Sequence, residues 1–401
     1  MVSILYVFHC STIGGGSYCL LNILKALDRS KYNPIVLLAK KGPLVEEINN
    51  LNIPVNFLNS LDSIPYNLPI FSIDVIRRYR NINKSITEYQ RIINEIKPDI
   101  VYINSMMLSP YLKASKEAGF KTIIHIREHW PLNENKFQLA RVQKFVQKYA
   151  DKVVAINKFS SKQVPYCDSK TTIVYDWIDF NDRYKEIPFQ DIFHEDLSDK
   201  KVILFTGGHA QNKGALDVVS LFSKRFCDTN LRLLILGEDK TVYGKTIKDK
   251  VKIFLSKIGI RRYYGYELNK LINKDKRIVC IPNIYELQHI MEQCFCLVSY
   301  FKIPHANLAL AESIILKTVA VAAETEESQE YSNGGRLAFL FKMNNPDEFV
   351  DAVNNVFVHY TSMKERLKAE SNTIALLFDK NNNIAQLNTV YESLIENKEF
   401  I

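Results

Sequence analysis

The segment 201–217 holds the first candidates for chemistry. An apolar run at 202–205 ends in Gly207-Gly208, and after a polar loop Lys213-Gly214 opens a periodic apolar segment. That spacing predicts a strand, a tight turn and a helix start. A pliable backbone beside Lys213, close to helix N–H groups, suits a phosphate or diphosphate. A βα loop with a solvated lysine reads from the same residues. A second glycine-rich turn, Ser11-Thr12-Ile13-Gly14-Gly15-Gly16-Ser17, lies between the first strand and the first helix. Its glycines let backbone approach a ligand, and the helix N-terminus adds partial positive charge. It is not G-x-G-x-x-G and no acid ends the next strand, so a dinucleotide fits poorly. A third cluster, His125-Ile126-Arg127-Glu128-His129-Trp130, leaves a buried strand. It reads either as a cleft-facing catalytic or acceptor cluster, or as an Arg127–Glu128 pairing with one satisfied histidine. It is not H-E-x-x-H, so zinc is not expected. The fourth runs from Pro304-His305-Ala306-Asn307-Leu308 to Glu312. A carboxylate in the first turns of that helix can accept two hydrogen bonds from a ribose diol, with the helix N-terminus facing phosphates. The macrodipole alone also favours a glutamate there.

Positioning these groups requires short apolar runs alternating with amphipathic segments. Strands are predicted at 2–8, 34–39, 55–58, 100–103, 122–126 and 153–156. Helices are predicted at 17–27, 43–51 and 73–96, with others between the later strands. The polar stretch 184–200 reads as a linker. Strands then recur at 202–205, 231–236, 278–281, 296–299, 319–322 and 338–341, with helices between them, one at 346–360, and a last helix at about 383–396. This βα repetition predicts parallel sheets covered by helices. The fold class is α/β, two Rossmann-like domains facing each other across a cleft, with ligands at the carboxyl ends of the strands.

Size and charge agree with that class. The 401 residues are too many for one ordinary core, and 47% hydrophobic with 24% charged residues is a globular composition. The seven cysteines form no C-x-x-C and read as reduced core thiols of a cytoplasmic protein. The N-terminus lacks a basic region and a cleavage pattern, so it reads as a buried strand rather than a signal peptide. No apolar stretch reaches about 18 residues, so no membrane span is expected. The net charge of +8 includes Arg77, Arg78, Arg80, Lys84 and Arg91, and Lys136, Arg141, Lys144 and Lys148. These read as solvated helix faces or as attraction to an anionic membrane surface or phosphorylated ligands. No nucleic-acid motif is present.

Taken together, the segments resemble the retaining glycosyltransferases of family four, over nearly the whole chain. The family's first turn is matched by Gly14-Gly15-Gly16 with Asn22 in the helix after it, and its G-P-L…I-P-V by Gly42-Pro43-Leu44 and Ile53-Pro54-Val55. Its K-P-D-I-V is matched by Lys97-Pro98-Asp99-Ile100-Val101, and its V-Y-N-G-I-D by the segment from Val174 to Asp179. In the diphosphate loop G-R-x-x-x-x-K-G, Gly207, Lys213 and Gly214 match, but Gly208 stands at the arginine position. In E-x(7)-E, Glu312 matches the second glutamate, whereas Pro304 replaces the first and Asn307 replaces the glycine before the helix.

The resemblance implies the GT-B fold, with an acceptor-binding domain at 1–185, a linker at 186–200 and a nucleotide-sugar domain at 201–380. It implies that a terminal helix at 381–401 packs back on the first domain. It implies sugar transfer from a nucleotide-sugar to a glycan or lipid-linked acceptor in cell-surface polysaccharide biosynthesis, with retention and without metal or other cofactor. Lys213 would bind the diphosphate, Glu312 the ribose, and Gly15 and Gly16 the phosphates through backbone N–H groups. Gly207, His209, His305, Asn307 and Leu308 would complete the donor site, the two histidines standing in for the missing groups. Arg127, Glu128 and His129 would face the reacting sugar or acceptor. The expected setting is the cytoplasm, peripherally at an anionic inner membrane face, with no nucleic-acid partner. The departures at Gly208 and Pro304 support a second reading, an inactive GT-B protein that binds a sugar nucleotide or glycan or partners an active transferase. A third reading, a sugar-nucleotide epimerase, lacks its acidic and histidine pattern.

Overall fold

The computed structural model describes residues 1–65, 72–130, 136–178, 180, 187–237, 247–258, 260, 262–282, 284 and 287–395. The chain divides into two compact units, Met1–Ile178 with Phe378–Ile401, and Asp179–Leu377.

The first unit is a seven-stranded sheet in the order β3-β2-β1-β4-β5-β6-β7. The strands are β1 Val2–Phe8, β2 Tyr32–Leu38, β3 Val55–Phe57, β4 Ile100–Ile103, β5 Lys121–Ile126, β6 Lys152–Ala155 and β7 Thr171–Ile173. All pairs are parallel, with Leu5 opposite Ile35 and Val101. The helices are α1 Gly15–Ala26, α2 Pro43–Asn49, α3 Ile73–Ile96, α4 Ser109–Glu117, α5 Lys136–Tyr149 and α6 Lys158–Lys162. A strand covered on both faces reads as an unbroken apolar run, as β1 does. Leu5 and Val7 enter one apolar cluster, and Ile4, Tyr6 and Phe8 enter the cluster on the other face. The strand β7 has only three half-buried residues, two of them threonine, and so carries no apolar signal. The helix α3 begins where Ser72 Oγ accepts the Val75 N–H (3.3 Å) and ends where Lys97 turns left-handed (φ 50°) before Pro98.

The second unit is a six-stranded parallel sheet in the order β10-β9-β8-β11-β12-β13. Its strands are β8 Lys201–Phe205, β9 Leu231–Gly237, β10 Ile278–Pro282, β11 Cys296–Ser299, β12 Val319–Glu324 and β13 Phe339–Lys342. Its helices open with α7 Phe189–Phe193, α8 Ala215–Arg225, α9 Ile247–Lys257, α10 Tyr264–Lys274 and α11 Leu287–Gln293. They continue with α12 Leu308–Ile315, α13 Glu326–Tyr331, α14 Pro346–Glu370 and α15 Asn372–Leu377. The expected end of a helix at 360 marks a real break: His359 is non-helical (φ −111°, ψ 16°), and helical structure resumes beyond it.

The segment expected as a linker builds onto the second unit where it is described. Phe189 and Phe193 are buried, and both Glu195 carboxylate oxygens hold Arg232 at the start of β9. Residues 184–186 and Asp179 lie outside the described residues. The last helix, α16 Lys380–Ile395, belongs to the first unit. Its Leu387, Val390, Tyr391 and Leu394 join the apolar cluster of Ile4 and Tyr6. The Tyr391 and Tyr6 hydroxyls meet at 3.0 Å, and Asn383 Oδ1 accepts the Tyr175 N–H at 2.7 Å. The end of that predicted helix, residue 396, lies outside the described residues.

Of the cysteines, Cys19, Cys167, Cys294 and Cys296 are buried and Cys10 and Cys280 half-buried, but Cys227 is exposed, which corrects its reading as a core thiol. Among the described residues no helix is long and apolar enough to cross a membrane, and no cluster of His, Cys, Asp and Glu could hold a metal ion.

Candidate functional site

Both sheets reverse their winding direction once, between β1 and β4 in the first unit and between β8 and β11 in the second. Ligands of open α/β sheets bind outside the carboxyl ends of strands at such switch points. The four candidate clusters of the sequence all follow strands of these sheets, and three of them follow β1, β8 and β11.

In the first unit the charged cluster after β5 is bonded largely within the protein itself. Arg127 Nε donates to Asn104 Oδ1 (2.8 Å) at the end of β4, and its Nη1 donates to both Asp176 oxygens (2.6 and 2.8 Å). The arginine side chain is 7% exposed. Glu128 accepts from Ser105 Oγ and from the Met106 N–H (2.8 Å), closing the turn after β4. Burial raises its pKa above the usual carboxylate range, against the pull of those hydrogen bonds. His129 is 3% exposed, with Nε2 3.1 Å from Ser160 Oγ. Arg127 and Glu128 therefore tie strand ends together and His129 meets α6, with Arg127 Nη2 the one nitrogen of that guanidinium left without a partner among the described residues. The Arg127–Glu128 surface pairing is not formed either. Asp176 and Asn104 are the missed partners, and no spacing signal ties them to Arg127.

The turn after β1 is open. A Cβ at Gly15 would meet nothing within 4 Å, and one at Gly16 would make an ordinary 3.5 Å contact with Phe8. No packing inside the chain demands either glycine. Both lie exposed in the first turn of α1, whose N–H groups have no intrahelical acceptor.

In the second unit the loops after β8 and β11 are sewn together. The Lys302 N–H donates to Asn212 O (2.9 Å), and Lys302 Nζ holds Asp217 at 2.9 Å in the first turn of α8. Gly214 has φ +76°, and a Cβ there would stand 2.3 Å from the Tyr300 carbonyl oxygen. Only glycine lets these loops touch. Gly208, at the position of the family's arginine, has φ +55°, and a Cβ would press on Gly237 Cα at 3.2 Å. Gly207 sits under the Phe205 ring.

Two of the charged groups here, Lys213 and Glu312, contrast with those of the first unit. Lys213 is half-buried and its ammonium has no hydrogen bond or ion pair among the described residues; burial lowers its pKa. Glu312, one turn into α12, is also half-buried, and its carboxylate has no partner among the described residues. Burial alone raises it to about 7. His305 is lowered to about 4, by burial first and by the charge of Lys213 second. It is therefore neutral at pH 7 and cannot supply the charge of a missing arginine, though it can donate one hydrogen bond. His209 is buried. The Asn307 side chain is spent on structure: its amide donates to Ser299 Oγ (2.9 Å), and Oδ1 accepts the Leu310 N–H (3.3 Å) as the cap of α12. The cap orients the helix start, leaving Leu308 to offer its backbone N–H. Deep burial of an unpaired charge is unfavourable, so a charge held half-buried without a partner needs a reason other than stability.

Three of the five named cations on α3 and its flank are paired: Arg77 with Asp74 (2.9 Å), Arg78 with Asp62 (3.2 Å) and Arg91 with Glu95 (2.9 Å). Arg80 and Lys84 are exposed, as are Lys136, Arg141, Lys144 and Lys148 on α5, where Arg141 lies over the Tyr79 ring (4.9 Å).

No family model matches the chain, and no curated protein matches it. Solved structures do. HepE of Anabaena, crystallised with UDP and glucose, has a TM-score of 0.74 at 17% identity, over 98% of this chain and 100% of that one. The sucrose-phosphate synthase of Thermosynechococcus elongatus has a TM-score of 0.71 at 11% identity, covering 99% and 100%. A UDP-N-acetylglucosamine 2-epimerase assignment from Listeria monocytogenes, described as putative, has a TM-score of 0.61 at 11% identity, covering 98% and 97%. At these identities the likeness establishes architecture: two parallel sheets flanked by helices, the GT-B fold.

Proposed function

We propose that the protein transfers a sugar from a nucleotide-sugar to a glycan or lipid-linked acceptor of cell-surface polysaccharide biosynthesis, as a family-four enzyme, with retention and without metal. The single observation that carries this reading is the pair Lys213 and Glu312. Both are half-buried beside the switch point of the second sheet, and neither is neutralised by a partner among the described residues. A nucleoside diphosphate offers each what it lacks. Phosphate oxygens satisfy the ammonium, and the ribose hydroxyls donate to the carboxylate. The N–H groups at the start of α12 and the neutral His305 add donors for the leaving diphosphate, whose charge is the main electrostatic demand of the reaction. The first unit supplies the acceptor side, where Arg127, Glu128 and His129 act as positioning residues that fix the ends of β4 and β5. In this reading the protein works peripherally at an anionic inner membrane face.

Gly208 favours a second reading. With no side chain at that position, a left-handed backbone and Gly237 Cα only 3.2 Å from where a Cβ would stand, the loop carries one cation where the family carries two. A protein that binds a sugar nucleotide or glycan without transfer, or partners an active transferase, needs no more than that.

Release of free nucleotide from a panel of nucleotide-sugars, with and without added acceptor lipid extract, separates the two. The transfer reading predicts release with one donor. It also predicts that Lys213→Ala weakens binding of the matching nucleoside diphosphate by about 1.5–3 kcal/mol, the range for a charge-assisted hydrogen bond. Tight binding of a nucleotide-sugar with no release under any condition favours the binding protein. Unchanged diphosphate affinity in Lys213→Ala places the phosphates elsewhere.

A further inference from the structure

One helix of the second unit turns an apolar stripe to solvent. Twelve large hydrophobic side chains are exposed among the described residues, and five of them fall within α9 and the turn after it. They are Ile247 (82% exposed), Val251 (53%), Phe254 (60%), Ile258 (50%) and Ile260 (70%). The first four recur at intervals of four, three and four, which places them on one narrow stripe of a helix. The stripe is continuous, because the Ile258 N–H still donates to Phe254 O (3.2 Å).

The opposite side, which attaches the helix to the protein, carries its side-chain hydrogen bonds, with Ile253 and Leu255 half-buried beside them. Ser256 Oγ donates to Glu267 Oε1 (2.9 Å) and accepts the Tyr263 N–H (3.2 Å). The Tyr263 hydroxyl donates to Asp249 Oδ1 (3.1 Å), and Lys252 Nζ lies 5.1 Å over the Tyr263 ring. A helix of a globular protein normally buries its apolar stripe and exposes its polar face. Here the hydrogen bonds point inward and the apolar stripe points to solvent.

Charge selects what covers it. The helix carries four lysines against one aspartate. Lys250 and Lys257, both exposed, flank the stripe on one side, roughly a fifth of a turn from it by helical spacing. Arg262 is exposed just beyond the helix. Two copies packed antiparallel through this stripe, about a twofold axis perpendicular to the helix, would bring their like-charged lysine flanks together. An anionic surface would not.

We propose that α9 is an interfacial helix that docks the protein on anionic membranes. Ile247, Val251, Phe254 and Ile258 enter the boundary between headgroups and acyl chains, and Lys250 and Lys257 meet lipid phosphates. This surface is separate from the basic faces of α3 and α5, and the inference stands on its own observations whether or not the protein transfers a sugar.

The test uses the full chain and vesicles of phosphatidylcholine, with and without one-third phosphatidylglycerol. Phe254→Trp is the reporter, because the native Trp130 and Trp177 are buried in the other unit. Its emission is expected to shift to the blue on the anionic vesicles, and the shift is expected to fade with salt. Val251→Ser combined with Phe254→Ser is expected to reduce co-sedimentation by about tenfold or more, since it removes two apolar contacts. Lys250→Gln with Lys257→Gln is expected to reduce it on anionic vesicles. All four side chains are exposed, so these variants are expected to keep the wild-type melting temperature and nucleotide affinity. Unchanged sedimentation of the Val251/Phe254 variant, or an unshifted emission from the Phe254→Trp reporter, overturns the proposal. So does a wild-type dimer that the Val251/Phe254 variant converts to monomer, which makes the stripe a contact between copies.

Discussion

At the scale of single residues, the candidate site charges of the second unit are held differently from those of the first. Arg127 is ion-paired with Asp176 and donates to Asn104, and Glu128 accepts from Ser105 and the Met106 amide, whereas the charged groups of Lys213 and Glu312 are left to themselves among the described residues. A carboxylate whose pKa rises from 4.5 to about 7 on folding binds its proton more tightly in the folded state. The folded protein therefore loses stability as pH climbs from the unfolded value through about 7, and the full cost is present above it. Glu312→Gln removes that cost. It is expected to raise stability at pH 8 by about 1–3 kcal/mol and to change it little at pH 4. Differential scanning calorimetry of both proteins at the two pH values checks this. A variant no more stable at pH 8 than at pH 4, relative to wild type, means that the carboxylate is solvated and not held in reserve. The sequence displayed both glutamates and both cations equally well. It could not display which were already satisfied, because Asp176 lies 49 residues from Arg127 and Asn104 lies 23 residues from it.

At the scale of elements, strands with long apolar runs were legible nearly to the residue. The strand Val2–Phe8 and the helix Ile73–Ile96 have the bounds that periodicity predicts. The strand β7 was not legible, because three half-buried residues make no pattern. The segment after 186 looked like a linker because its anchors are two isolated phenylalanines and one ion pair to a distant arginine. The helix α16 depends on contacts that no local pattern announces. Tyr391 is fully buried among Tyr6, Tyr32 and Tyr102, with its hydroxyl on that of Tyr6. Tyr391→Phe leaves the buried Tyr6 hydroxyl without that partner and is expected to cost about 1–3 kcal/mol. Tyr391→Ala adds a cavity and is expected to cost about 3–5 kcal/mol. Denaturant titration followed by tryptophan fluorescence reads this directly, because Trp130 and Trp177 both lie in the first unit. If both variants unfold at the wild-type midpoint, α16 is not part of that unit's cooperative core.

At the scale of the whole molecule, the two sheets share one winding pattern, with the third, second and first strands followed by the fourth, fifth and sixth. That pattern creates two switch points, and sequence placed candidate groups beside both. The structure distinguishes them: the polar groups after β4 and β5 are largely bonded to one another, whereas Lys213 after β8 and Glu312 after β11 have no partner among the described residues. The central claim is therefore that the second unit holds a nucleoside diphosphate, with its phosphates on Lys213 and its ribose on Glu312. The most direct measurement is calorimetric titration of wild type and Glu312→Ala with a matching nucleoside diphosphate and its 2′-deoxy analogue. The account predicts that wild type binds the ribonucleotide more tightly and that Glu312→Ala binds the two alike, because the hydroxyl has lost its acceptor. A wild type indifferent to the sugar, or a preference that survives in Glu312→Ala, would contradict it.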